Sequence, residues 1–520
     1  MWRPTALRLW SCLALISVTT ATIQNTSLVV SNAYVAPDGF NRSAIVVNGM
    51  TPGPLITACK GDHLNINVTD LLTNESMNKS TSIHWHGIFQ HHTNAMDGTA
   101  FVTQCPIVSG NSFLYSFDVE NQTGTFWYHS HFNLQYCDGL RGPIVIYDEN
   151  DPYRHLYDID DASTVITLLD WYHVIAYDVA AADNPAGILI NGRGRYPGGP
   201  DVPLSVITVE QGKRYRFRLI NMACKPHILF AIVNHNLTVI EADGQATLPL
   251  VVDEITIYVG QRYSFILEAN QPVDNYWIRA MPGSYNSNFT NGLNSAILRY
   301  VGASETEPVN STWPPANSLV ETNLHAYGVP PVPGLPYPGG ADVSIDIVSI
   351  MDNTTLLFYM NGETYQPPTT PVLLQILSGA LTASQLAPQG LVYTLPSNKV
   401  IEISFPTTYL PNPHPFHLHG HAFSVVRSAN STAYNYVDPV RRDTVNIGLN
   451  NGITSDNVTI RFFTDNAGPW FLHCHIDFHL QRGMAIVFAE NPDGVAQADV
   501  VNSAWENLCP IYDGLPSTDE

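Results

Sequence analysis

Most of the 19 histidines fall into four short clusters: His84-Trp85-His86, His129-Ser130-His131, His414-Pro415-Phe416-His417-Leu418-His419, and His473-Cys474-His475 followed by His479. Each cluster contains His-x-His. On a β-strand, residues two apart project from one face about 6.6 Å apart, so such a pair can reach two adjacent metal ions while the residue between them points away. The four pairs supply eight imidazoles, from His84, His86, His129, His131, His417, His419, His473 and His475. A lone His-x-His is more often a structural pair, and neutral imidazole suits copper, zinc, iron and nickel alike. Histidine number alone does not choose the metal.

The third and fourth clusters do choose it. Cys474, His479 and Met484 follow one another at spacings of five, with His414 available as a second imidazole. Two imidazoles, a thiolate and a weak thioether are the donor set of a blue-copper electron-transfer site. A zinc site would want one compact set of four ligands, which ten imidazoles far exceed. Because Cys474 faces opposite to His473 and His475, one short covalent segment would join the thiolate-bound copper to the histidine-rich cluster. The other histidines, His63, His91, His92, His155, His173, His227, His235, His325 and His421, have no partner spacing and read as structural or surface residues.

Strands must position these residues. Apolar residues alternate in His63–Val68, Tyr215–Leu219 and Val400–Phe405, the period of half-buried strands. Gly61-Asp62, Gly212-Lys213 and Ser397-Asn398 precede the three alternations, and His84, His227 and His414 follow downstream. One β-sandwich unit used three times is the expectation, and 520 residues suit it. A Pro-rich stretch from Glu307 to Gly340 reads as the connection between the second and third units, with a softer boundary near Asp148 to Pro152. The expected division is a leader at 1–21 and units at 22–150, 151–320 and 321–520. Short helices are expected only around Tyr153–Ala162 and Val500–Leu508. With 13% charged residues and 35 Gly and 37 Pro the chain is folded and turn-rich, and its net charge of -22 repels phosphate backbones and anionic headgroups. Nucleic acid and membranes are therefore not expected partners.

Arg3 and Arg8, the apolar run Leu9–Val18 and the small residues Thr19-Thr20-Ala21 form a secretory signal, too short for a membrane span. A secreted, extracellular chain is expected. Sequons at Asn25, Asn41, Asn67, Asn74, Asn78, Asn121, Asn236, Asn288, Asn310, Asn353, Asn430 and Asn457 agree with export as a glycoprotein. Beyond the leader stand Cys59, Cys105, Cys137, Cys224, Cys474 and Cys509. With Cys474 reserved for metal, two disulfides and one spare thiol are the simplest arithmetic, and the pairing stays open.

At this point the chain resembles a known family. Ser82-Ile83-His84-Trp85-His86-Gly87, Gly124–His131, Gln135–Gly142, His414–His421 and Trp470–His479 resemble the fungal laccases of the multicopper oxidase family, over essentially the whole mature chain. The resemblance implies an all-β fold of three consecutive cupredoxin-like Greek-key domains and four coppers. It implies a type 1 copper on His414, Cys474 and His479, with Met484 axial by spacing, and a type 2 copper on His84 and His417. The paired type 3 coppers would take His86, His129, His131, His419, His473 and His475. Ligands from the first and last units then share one interface, while the middle unit keeps only His227 at the equivalent place and shapes a substrate wall. The implied activity is that of a benzenediol:oxygen oxidoreductase: phenols or aromatic amines are oxidised one electron at a time near His479, and dioxygen is reduced to two waters, in lignin or polyphenol modification or pigment chemistry. Asp97 and Asp477 match acidic positions that would supply protons. The family's bridges correspond to Cys105–Cys509 and Cys137–Cys224, leaving Cys59 as a buried thiol. A monomer is expected, with a second subunit left open.

Three departures from the family pattern stand out. Many relatives carry Phe or Leu where this chain has Met484, and a thioether donor stabilises oxidised copper, so a modest reduction potential is expected. Val233, in Phe230–Asn236, stands where an acid is usual, which removes a carboxylate from the expected substrate pocket of Val233 and His479. Asn94-Ala95-Met96 replaces a version that usually contains Trp. The rivals are a ferroxidase or other metal-ion oxidase of the same family, and a copper-binding electron carrier that does not reduce dioxygen.

Overall fold

Each unit places its histidine-bearing strand inside the same two-sheet frame. The computed structural model describes residues 22–179, 184–309, 314–328, 331–407, 410, 412–450, 455–499 and 501–516. The leader therefore lies outside the described residues. In the first unit one sheet runs Arg42–Val47, Ile23–Val35, His63–Leu71, Ser112–Asp118, and the other Ile56–Cys59, Arg141–Tyr147, Gly124–Ser130, Ile83–His86. The middle unit has a six-stranded and a five-stranded sheet, and the third has two five-stranded sheets and a small hairpin, Ser349–Met351 with Phe358–Met360.

The repeat lies in the connectivity. Each unit holds one parallel pair in each sheet, for example Ile23–Val35 with His63–Leu71, Val165–Trp171 with Arg214–Asn221, and Val343–Asp346 with Val400–Pro406. The strands Ile83–His86, His227–Ile232 and Pro415–Leu418 each lie antiparallel to a long neighbour, respectively Gly124–Ser130, Asn275–Pro282 and Gly468–Cys474. The fold is thus the three-domain, cupredoxin-like β architecture.

Alternation predicts burial in some strands and not in others. His63–Leu71 alternates between half-buried and buried residues as expected of a strand with one wet face. In Arg214–Asn221 every residue after the first is buried. Its polar face does not meet water, because Arg216 and Arg218 are buried against Asp151, Asp160 and Glu241, and Arg218 reaches Thr125 of the first unit at 3.0 Å. A buried charge is tolerable only when paired.

The Pro-rich connection is a pinned strap. Ala326 bridges to Thr247 and Ser318 to Glu254, Glu321 pairs with Arg442 at 2.7 Å, and Arg461 donates to the carbonyls of Pro333 and Leu335 at 3.2 and 2.7 Å. The helix expectations need correcting. Tyr153–Ala162 contains only the single turn Arg154–Leu156, and a second turn, Ala162–Thr164, begins at its end. The tail helices are Ser503–Glu506 and Leu508–Asp513, and Val372–Leu377 and Pro492–Ala498 are further helices. Cys105 is bonded to Cys509 and Cys137 to Cys224, which tie the first unit to the tail and to the middle unit. Cys59 ends the strand Ile56–Cys59 and is half-buried rather than buried.

Candidate metal centre

Strand register brings the histidines together. His84 pairs across the sheet with His129, and His417 with His473, so the imidazoles of each unit rise from adjacent strands onto one face. Trp85, between His84 and His86, points the other way and is buried against Tyr115, Phe117 and Tyr128. The two faces then meet across the interface of the first and third units. Three trios of imidazole nitrogens form there: His84, His86 and His417; His86, His129 and His475; His131, His419 and His473.

Within this cluster, ring nitrogens face each other rather than hydrogen-bonding partners. His84 Nε2 lies 3.4 Å from His417 Nε2, His131 Nε2 3.4 Å from His473 Nε2, His419 Nε2 3.2 Å from His473 Nε2, and His475 Nε2 3.1 Å from His86 Nδ1. His129 Nε2 and His475 Nδ1 are buried without a hydrogen-bond partner. Burial, reinforced by neighbouring imidazoles, holds His86, His129, His419, His473 and His475 well below their ordinary range and His131 down to about 3. These rings are neutral at physiological pH. Converging lone pairs of neutral imidazoles repel unless cations sit among them, so the donor set fits copper ions.

The outward ring nitrogens are held by oxygen acceptors, which fix ring orientation. His84 Nδ1 donates to Asp97 O at 2.8 Å, His129 Nδ1 to Ser130 O at 2.9 Å, His417 Nδ1 to Asp443 O at 2.9 Å and His473 Nδ1 to Cys474 O at 3.0 Å. Asp97 Oδ2 accepts from His419 Nδ1 at 2.9 Å and from Thr99 Oγ1 at 2.7 Å. Burial opposes the Asp97 charge, but His84, Thr99 and His131 hold its carboxyl below the usual carboxylate range. Asp443 Oδ1 lies 3.2 Å from His86 Nε2 and 3.4 Å from His417 Nδ1. Asp477 is buried at a small cavity that is also lined by His129, His131, His473 and His475. Burial, with Asp138 adding to it against Arg141, raises its carboxyl well above the usual range, which favours its protonated form beside the cluster.

A second donor set adjoins the first through Cys474. The chain after His475 turns through the short helix Asp477–Leu480 and returns, Cys474 N–H donating to Met484 O at 3.0 Å and Met484 N–H to His479 O at 3.1 Å. Cys474 Sγ is 3.7 Å from His479 Nδ1, and the His414 and His479 rings are 4.9 Å apart. His414 Nδ1 is buried without a partner. Burial takes His414 down to about 4 and pushes the Cys474 thiol up, so the thiolate needs a metal ion to form. Phe358 walls the pair, its ring 4.7 Å from His479 and 6.0 Å from His414. Met484 is fully buried at the start of the strand Ala485–Glu490.

Not every expected site residue joins the centre. Val233 is 4% exposed and packs with Leu204, Trp277 and Ile297. It follows the strand His227–Ile232, which spans about 20 Å. The end of that strand near His479 is the other one, where Lys225 Nζ lies 5.9 Å from the Phe478 ring. His227 is half-buried against Tyr258, and His421 pairs with Glu490 at 3.1 Å. Ala95, at the departure from the Trp-containing pattern, is buried and donates its N–H to Asp499 Oδ2 at 2.6 Å. Sequence reasoning missed Asp443 and Lys225. The run Arg441-Arg442-Asp443 in a chain with so few charges was one available signal, and the adjacency of Lys225 to Cys224 was the other.

Known proteins resemble this chain in sequence and fold. Three models described as multicopper oxidase match residues 29–151, 162–303 and 365–494. Laccase-1 of Trametes villosa is 58% identical over 496 residues, covering 95% of each chain. A laccase structure from Botrytis aclada superposes with a TM-score of 0.82 at 31% identity, covering 95% of this chain and 93% of that one. Fet3p, a multicopper oxidase that functions in iron import, superposes with a TM-score of 0.81 at 28% identity, covering 94% of this chain and 95% of that one. The chain belongs to the multicopper oxidase family. Within it, it falls in the fungal laccase branch, and copper is its metal.

Proposed function

We propose that the protein is a secreted laccase that oxidises phenols and aromatic amines at His479 and reduces dioxygen at the histidine cluster. The observation that carries this reading is the Cys474 segment, whose thiol meets His479 while its neighbours His473 and His475 enter the cluster. In this reading His414, Cys474 and His479, with Met484 as a fourth candidate donor, would hold the type 1 copper, and His84 and His417 the type 2 copper. His86, His129 and His475 hold one type 3 copper and His131, His419 and His473 the other. Copper bound there would supply one-electron oxidation of the substrate and the four-electron, four-proton reduction of dioxygen to two waters.

The chain's own residues supply the rest. His479 is half-buried while His414 and Cys474 are buried, so His479 is the ring that an aromatic reductant can meet. Asp477, protonated at its cavity, can release a proton toward the cluster, and Asp97 keeps His84 and His419 oriented. Hydrophobic burial around Cys474 excludes water from the thiolate. Export rests on the leader at 1–21 and on sequons at Asn25, Asn41, Asn121, Asn236, Asn288, Asn353 and Asn430, all exposed; Asn310 lies outside the described residues. Among the described residues no helix is long and apolar enough to cross a membrane.

Identity of 58% to Laccase-1 of Trametes villosa against 28% to the iron-import oxidase Fet3p disfavours the ferroxidase reading. An electron carrier would not need the second donor set. The test is copper counting with absorption and paramagnetic resonance spectra on the purified protein, together with oxygen uptake on a neutral diphenol. Four coppers and one dioxygen consumed per four diphenol oxidations are expected; a single copper, or no oxygen uptake, would overturn the reading.

A further inference from the structure

Copper chemistry leaves the solvent-facing side of the first unit unused. There Ile23–Val35, His63–Leu71 and Ser112–Asp118 lie side by side in one four-stranded sheet, with His63 opposite Asp118 and Asn65 opposite Ser116. His63 Nδ1 is 2.8 Å from Asp118 Oδ1, and His63 Nε2 is 2.9 Å from Ser116 Oγ. An ionised carboxylate only accepts, so the imidazole proton sits on Nδ1, and Nε2 turns its lone pair to the serine hydroxyl. This is the order of a Ser-His-Asp relay, which is defined by geometry and roles rather than by position in a chain. The side chains of His63 and Asp118 are 31% and 63% exposed, so a small molecule can reach them.

Strand register accounts for the closeness and leaves donors at hand. Val119 N–H donates to Asp62 O, and Asp70 N–H donates to Asn111 O, at the two ends of this pairing. The ladder bonds between them therefore fall on Phe113, Tyr115 and Phe117. His63 with Asp118 and Asn65 with Ser116 are then the non-hydrogen-bonded pairs, whose side chains approach most closely. Ser112–Asp118 is the edge strand, so the Ser116 N–H points out of the sheet. Asn65 Oδ1 lies 2.8 Å from Ser116 Oγ, and a half-turn of that amide presents its nitrogen as a second donor. Leu114 and Ile23, exposed on the same face, flank the relay with apolar surface.

We propose that Ser116 is a nucleophile toward aryl esters, with His63 as its general base and Asp118 positioning the imidazole. Ser116 Oγ adds to the ester carbonyl carbon while His63 Nε2 takes the hydroxyl proton; the carbon–oxygen bond to the phenol then breaks, and the departing phenolate takes that proton. Water hydrolyses the acyl-serine by the same route, so ester and water give acid and phenol with no change of oxidation state. The leaving group follows from the site. An open sheet face offers an oxyanion two donors at most, and each donor lost costs about 100- to 1000-fold in rate, which puts alkyl esters out of reach. Esters of phenols, whose hydroxyls ionise near a pKa of about 10, need less help. The proposal does not rest on the copper sites.

The test uses the copper-loaded protein as secreted and after enzymatic removal of N-glycans, because Asn65 Nδ2 donates to the sequon residue Asn25 at 3.3 Å. A fluorophosphonate is expected to phosphonylate Ser116, located by peptide mass spectrometry, and acetate release from phenyl acetate should exceed that of Ser116→Ala. His63→Ala should slow the labelling about 100-fold and Asp118→Ala about tenfold, with Asp118→Glu restoring most of the latter loss. Labelling only after glycan removal would assign the Asn25 glycan as a cover over a working nucleophile. Copper content, read alongside, verifies that each variant is folded. No Ser116 adduct in either form, or labelling of His63→Ala within threefold of the parent, would overturn the proposal and leave a hydrogen-bonded ring that only pins the edge strand.

Discussion

Removing the charge of Asp443 should destabilise the protein and loosen its copper together. The Asp443 carboxylate meets the Arg262 guanidinium in a two-point pair, both contacts 2.7 Å, across the interface of the middle and third units. The side chains are 0% and 3% exposed. Asp443→Asn keeps the shape and one acceptor but leaves a buried guanidinium whose next carboxylate, Asp243, is 3.7 Å away. Breaking a buried ion pair costs about 3–5 kcal/mol, and the residual Asp243 contact argues for about 3 kcal/mol. The same change removes the carboxylate oxygen 3.2 Å from His86 and 3.4 Å from His417, and loss of such supports lowers metal affinity about 10- to 100-fold. Denaturant unfolding of the copper-free protein isolates the ion pair, with the first transition read because several units need not unfold together. Chelator competition on the loaded protein reads the second effect. Paired measurements on Arg262→Gln and the double variant give the coupling energy. A destabilisation under 1 kcal/mol with copper retention within threefold of the parent would refute the reasoning.

Met484→Leu should raise the type 1 reduction potential by about 60 mV, equivalent to about 1.4 kcal/mol for one electron, and a redox titration giving no change would mean the thioether does not reach the copper. Asp70 is fully buried with Oδ2 unpartnered, and burial pushes its carboxyl up to about 8. The folded chain then holds a proton that the unfolded chain releases near pH 4, so wild-type stability falls as pH rises from about 4 to 8. Asp70→Asn should remove that slope and be more stable by about 2–4 kcal/mol at pH 7, an advantage that vanishes near pH 4, checked by denaturation across that range. The Cys105–Cys509 bridge spans 404 residues of sequence, so Cys509→Ser should cost about 5 kcal/mol and expose the tail to limited proteolysis, unless the contact of Trp505 with Thr103 holds the tail alone.

The metal chemistry was legible before any coordinates because it depends on residue type and short spacing. His-x-His on a strand needs only the two-residue period, and the Cys474, His479, Met484 spacing survives the unforeseen helix Asp477–Leu480 because the turn returns Met484 to Cys474. Three similar sandwiches were likewise foreshadowed by three alternating segments with matching surroundings. What alternation could not reveal is a strand such as Arg214–Asn221, whose polar face is covered by another unit instead of water.

Only the tertiary structure decided which histidines share a trio, since His84 and His417 are 333 residues apart and meet through the packing of two units. It also put Val233 at the opposite end of the strand His227–Ile232 from Lys225, whose Nζ lies 5.9 Å from the Phe478 ring, because a six-residue strand separates its two ends by more than the reach of any side chain. The support that Asp443 and Arg262 give to the cluster leaves no local pattern at all, as an ion pair between residues 181 positions apart is set by how the domains dock. Short-range spacing is carried by the covalent chain and can be read from it, whereas the partners of a buried charge are chosen by the cost of leaving it unpaired wherever the interface happens to close.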